Sequence, residues 1–206
     1  MCFDTQSSLL AWSITYSIGV YLYFRNKNYD RWNAAFIMAF ATIQLLEAGI
    51  WESIYRKKIE LNDLLTRLIL LTLMAQPLIQ SYMGYRYTKE SILALMSWVF
   101  LGLFIWAIYR IGTSNSGQFG STQGPHGHLI WNDAKSPNFL GGWWVGVLYI
   151  LGLFIPLFFM KEHKGFVLLS IGVITAILSL LVTTKGEFSS YWCYTTVVYA
   201  IAALFV

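Results

Sequence analysis

The sequence predicts an all-α fold, a polytopic membrane protein built as a seven-transmembrane-helix bundle, with residues 1–206 forming a single domain. Three observations lead there. Of 206 residues, 57% are hydrophobic and only 12% charged, about half the charged share of a soluble domain. The mean hydropathy is +0.56. Apolar runs recur along the chain with short polar breaks, each reaching the roughly 20 residues that span a hydrocarbon core.

The first helix is expected at 7–24. The start Met1-Cys2-Phe3-Asp4 offers neither a basic n-region nor a small-residue cleavage site, so this helix reads as a retained span rather than a signal peptide. The second, 32–54, sets Gln44, Glu47 and Trp51 at i, i+3 and i+7 on one face. The third, 64–85, holds Gln76 and Gln80 one turn apart around Pro77. The fourth covers 90–111. The remaining three are expected at 139–160, 165–184 and 188–206.

Residues 112–138 form the one long connection. Its first half, rich in Gly, Ser and Asn, reads as flexible. Its second half, His126-Gly127-His128-Leu129-Ile130-Trp131-Asn132-Asp133, carries anchors able to dip back into the bundle, so this is the expected lid or site loop.

The net charge of +4 comes from basic residues scattered through short loops. That pattern suits anchors at lipid headgroups, and no nucleic-acid partner is expected. With seven spans the 14 Lys and Arg residues divide evenly between the two sides, so the positive-inside rule is tied. Denser acids on the N-terminal side lean the reading towards an extracytoplasmic N-terminus and a cytoplasmic C-terminus.

Glu47 is the residue that most needs explaining. A carboxylate inside a span costs several kcal/mol unless it is paired, protonated or beside a wet cavity. Helix direction puts it about one to two turns below the N-terminal-side surface. Cys2, Cys193, His126 and His128 belong to that same side. So do Trp12, Trp51, Trp106, Trp131, Trp143, Trp144 and Trp192, against Trp32 and Trp98 elsewhere. The aromatics form either an interfacial belt or, in part, a pocket lining. The expected pocket residues are Gln44, Glu47, Trp51, Trp131 and Trp192, with Glu47 the candidate acid or base.

Cys2, His126, His128 and Cys193 are of the types that ligate zinc or a similar divalent ion, and Gly127 lets the backbone bend between the two imidazoles. Three readings stay open for the cysteines: a Cys2–Cys193 disulfide, metal ligation, or an unrelated pair with Cys193 as core filler. Gln76 and Gln80 read either as interhelical glue or as part of a polar cavity reaching inward from Glu47. The last helix has no lysine for a covalent retinal and no histidine pair of the alkaline-ceramidase kind. Gly-rich phosphate loops and His-Glu-x-x-His or Gly-x-Ser-x-Gly motifs are missing.

Met1-Cys2-Phe3, Gln44-Leu-Leu-Glu47 with Trp51, and Ser190-Tyr-Trp192-Cys193-Tyr resemble an uncharacterised family of bacterial and large-DNA-virus membrane proteins beginning Met-Cys-Phe-Ser. Asp4 stands where that pattern has serine. The resemblance singles out Cys2, Glu47, Trp192 and Cys193 and implies no mechanism. The function expected is a sensor- or transporter-like protein whose N-terminal-face pocket binds a small ligand, lipid or metal ion. The alternatives are a metal-dependent intramembrane hydrolase with Glu47 as general base, and a non-catalytic structural protein, viral for instance. The lipid bilayer is the expected partner, with a homo-oligomer as a further candidate.

Overall fold

A computed structural model describes residues 4–115, 117–132, 142–184 and 186–206. Seven α-helices account for most of them: α1 (Thr5–Arg25), α2 (Asp30–Tyr55), α3 (Ile59–Thr88), α4 (Ser91–Gly112), α5 (Trp143–Phe154), α6 (Lys164–Val182) and α7 (Phe188–Ala203). A 3₁₀ turn, Ile155–Phe159, continues α5. The helices lie close to where the apolar runs put them. Of these, α2, α3, α4 and α6 are long and apolar enough to cross a membrane.

The first four helices pack in sequence because the turns between them are short and carry residues that reverse the chain. Asn26, Lys57 and Lys89 take left-handed backbone angles, ending each helix with an αL residue in or near its cap. Asp4 caps α1, accepting from the Ser7 N–H at 2.7 Å while its own N–H donates to Ser7 Oγ. Asp is among the residues that fill an N-cap best. Arg25 grips both oxygens of Asp30 at 2.7 Å and reaches the Leu204 carbonyl, tying the α1–α2 turn to the end of α7.

On α6 and α4, large apolar side chains face outward. The buried positions of α6 are Gly165, Leu168, Gly172, Thr175 and Ser179, a small and polar stripe, while Ile174, Ile177, Leu178 and Leu181 face outward. On α4 the buried set is Leu93, Phe100, Ala107 and Ile111, with Leu95, Trp98, Val99 and Ile105 exposed. The α6 pattern, small residues inside and large apolar ones outside, is what helix packing in lipid favours.

Gln76 and Gln80 serve as cross-links. Trp32 Nε1 donates to Gln80 Oε1 at 2.9 Å, and Gln80 Nε2 donates to the Leu153 carbonyl at 3.2 Å. That carbonyl lies where α5 tightens into the 3₁₀ turn, and its i+3 partner would be Pro156, which has no N–H. Gln76 Oε1 accepts from the Tyr149 hydroxyl at 2.5 Å. Gly152 lets α5 come this close, since a Cβ there would sit 2.6 Å from Pro77 Cβ.

Two expectations need correcting. The long connection is more than a flexible loop: it contains an antiparallel hairpin, β1 (Gly120–Gln123) and β2 (Leu129–Asn132), pairing Gly120 with Asn132 and Gln123 with Leu129. The all-α reading therefore carries a small β element. Residues 139–160 also do not form one regular helix, because Pro156 turns their second part into 3₁₀.

Candidate functional site

The hairpin is held across the end of the bundle from both sides. On α3, Asn62 pairs with the Ser121 backbone in both directions, donating to its carbonyl at 3.1 Å and accepting from its N–H at 2.6 Å. Thr66 Oγ1 and Ser121 Oγ lie 2.8 Å apart. Asp63 accepts from the Gly117 and Phe119 N–H groups at 3.0 and 2.9 Å, with Arg67 on its other oxygen at 2.7 Å.

At the N-cap of α7 the anchor is Glu187, wholly buried. It accepts from the His126 N–H and the His126 Nδ1–H, each at 2.8 Å, from Thr184 Oγ1 at 2.7 Å and from the His128 N–H at 3.3 Å. Burial alone would raise its pKa, but the hydrogen bonds from Thr184 and His126 outweigh burial and hold it at about 2. The carboxylate is ionised, so His126 must carry its proton on Nδ1. The turn between the strands is built for this fit. Pro125 follows Gly124, the Gly127 N–H closes on the Gly124 carbonyl at 3.0 Å, and Gly127 takes φ 84°. A Cβ on Gly124 would lie 2.6 Å from Glu187 Cδ.

Glu47 lies beneath this cap and is fully buried. Its Oε1 accepts from Ser190 Oγ of α7 at 2.5 Å and from Trp131 Nε1 of β2 at 3.1 Å. The two donors satisfy a carboxylate oxygen that hydrocarbon could not. Gln44, one turn deeper, and Trp51 are also buried, and Trp51 stacks with Tyr55 at 6.0 Å.

The remaining expected pocket residue goes elsewhere. Trp192 stacks on Phe188 at 5.6 Å and donates to Thr175 Oγ1 at 3.3 Å. It lines a groove of about 690 Å³ between α3, α5 and α7, with Leu73, Met74, Val145, Tyr149 and Cys193. Gly146 also borders this groove, and a Cβ on it would meet open space. The structure thus separates one expected pocket into two places, a Glu47–Trp131–Ser190 cluster and an apolar groove beside Trp192. The other tryptophans divide as well: Trp98 and Trp144 face outward, as a belt would.

For the metal, the geometry is unfavourable. Among the described residues no group of three or more His, Cys, Asp or Glu side chains could hold an ion. His126 binds Glu187 through Nδ1, a contact that orients the ring without occupying Nε2, while the His128 ring is buried edge-on to Tyr191 at 4.8 Å, and burial lowers its pKa. Cys193 is buried on α7 and faces the groove. Cys2 lies outside the described residues, and with it the disulfide reading.

Glu187, Ser190, Asn62 and Asp63 escaped the sequence reading as site residues. Asp63 and Arg67, four apart on α3, form a helix pair that such spacing marks. Glu187 had no such local signal. No protein-family model, curated protein or solved structure matches the chain.

Proposed function

We propose that this is a multi-pass membrane protein whose seven helices all cross the bilayer, and that its groove binds a lipid or lipid-like amphiphile by an apolar chain. The observation that carries the reading is the groove itself. At about 690 Å³ it falls within the range of small-molecule sites, roughly 300–1,000 Å³, and its walls are almost wholly apolar. Its lining runs from Phe188 and Gly142 to Ile150 and Leu151, along the N-terminal-side half of the bundle.

The two short helices suit the seven-span part of the proposal. α5 with its 3₁₀ turn covers 143–159, about 28 Å of rise, close to a hydrocarbon core of about 30 Å. α7, with 16 helical residues, reaches about 24 Å.

A groove of this kind selects by shape and apolar contact. Tyr149 and Ser189 are the polar side chains on its wall, and Glu47 is not part of its lining. The clustered acid is therefore read as fastening the cap, with binding left to the groove. Glu47 Oε1 accepts from Ser190 of α7 and from Trp131 of β2, which joins the cap to the bundle.

The test uses purified protein and quantifies co-purifying lipid by mass spectrometry. Gly146→Trp should fill the groove and cut retained lipid at least tenfold. Gly102→Trp is the control, because Gly102 also faces open space but lies outside the groove on α4. Equal lipid retention by both variants would sink the proposal.

A further inference from the structure

We infer that an open cleft between the α2–α3 turn and the hairpin binds a phosphate group, carried by a lipid headgroup or free. The cleft shares no residue with the groove beside Trp192, and the inference stands whether or not that groove holds a lipid. Its volume is about 520 Å³, within the range of small-molecule sites. Helix α2 supplies Ser53 and Ile54, the turn Lys57 and Lys58, and α3 Ile59 and Asn62, while residues 117–122 form the remaining wall.

The charge of the cleft calls for an anion. Two lysines border it and no acid does. Neither lysine forms an ion pair among the described residues. The acids of the flanking helices are accounted for: Arg56 meets Glu52, Arg67 meets Asp63, and Glu60 is exposed outside the lining. Helix polarity adds to the lysines. α3 starts at this wall with Lys58 as its N-cap and no side-chain cap. The N–H groups of Ile59, Glu60 and Leu61 have no acceptor among the described residues, and such a helix start favours negative charge. The opposing end of α2 is already covered, because the Glu52, Ser53 and Ile54 carbonyls accept from the Arg56, Lys58 and Lys57 N–H groups.

The hairpin side of the cleft is held in place by bonds that need no ligand. Asn62 is buried and clasps the Ser121 backbone, while Asp63 holds the Gly117 and Phe119 N–H groups. A fixed wall lowers the ordering cost of binding. Gln118 and Thr122 add an amide and a hydroxyl to it. A phosphate carries enough oxygens to take two ammonium groups and helix N–H groups together. Ile54, Ile59 and Phe119 offer apolar surface to the carbon skeleton of an ester.

The test titrates the purified full chain, in a neutral detergent, with dioctanoyl phosphatidic acid or inorganic phosphate and reads binding by calorimetry. The salt is about 0.15 M, where loose surface attraction is screened. Lys57→Gln with Lys58→Gln should weaken phosphate binding at least about tenfold. Glutamine is no harder than lysine to place at the left-handed Lys57, where φ is 54°. Lys27→Gln with Lys89→Gln is the control, removing the same charge from other turns and including left-handed Lys89; it should leave the affinity within about twofold. Gly146→Trp, which fills the groove, should also leave it unchanged. Saturable binding of both probes assigns the site to phosphate itself, and binding of the lipid alone assigns it to a headgroup. No saturable binding of either probe overturns the inference. So does an equal loss in both lysine pairs, or a loss in Gly146→Trp with none in the Lys57–Lys58 pair.

Discussion

Replacing Glu187 by Gln should release the hairpin while leaving the helices in place. The carboxylate collects donors from His126, His128 and Thr184, and a glutamine amide would turn its own N–H groups towards some of them. Holding this carboxyl at about 2 instead of its ordinary 4.5 corresponds to about 3 kcal/mol of preferential stabilisation of the ionised form. Loss of that amount raises the opening equilibrium of the turn about a hundredfold. Hydrogen exchange at the His126 and His128 amides reads this directly. The same linkage fixes the pH dependence. A carboxyl depressed on folding contributes fully above about 4.5, and its contribution drains away as pH falls toward about 2. His128 adds an earlier loss: burial lowers its pKa from 6.5, so protonation below that value favours the open hairpin. If exchange at these amides in Glu187→Gln stays within threefold of wild type at pH 7, the clamp reasoning is wrong.

Two other substitutions probe the framework. Gly124→Ala would force a methyl to within 2.6 Å of Glu187 Cδ, so the turn should shift at a cost of about 1–3 kcal/mol, visible as faster exchange at the same amides. Gln80→Leu would strand the Trp32 indole N–H and the Leu153 carbonyl. A loss of about 2–4 kcal/mol is expected in denaturant or thermal unfolding followed by tryptophan fluorescence, and an unchanged midpoint would show that the cross-link is dispensable.

The helices were legible because each is a local event. An apolar run long enough to span, broken by a few polar residues, announces itself within its own window. The burial of Gln44, Glu47 and Trp51 on one helix is of the same kind. The hairpin was not legible. Its first strand, Gly120-Ser-Thr-Gln123, has no apolar alternation to mark it. It exists because Ser121 meets Asn62 and because the turn meets Glu187, residues about 60 positions away in sequence. The candidate site divided for a related reason. Sequence put Glu47 and Trp192 on the same side of the membrane, but depth alone does not say which way a side chain turns. On α7, Ser190 meets Glu47, whereas Ser189, Trp192 and Cys193 line the groove.

The clamp also sets a schedule for how the molecule is made. A ribosome delivers α1 to α4 and then the hairpin long before Glu187, which is residue 187 of 206. Until α7 arrives, the turn lacks one of its two anchors, and Glu47 lacks Ser190. The earlier helices therefore fold with their acid unmet from α7, and α7 locks the hairpin and α2 that precede it. Truncation before α7 should leave a chain with an undocked hairpin, a form that quality-control proteases can distinguish from the full chain.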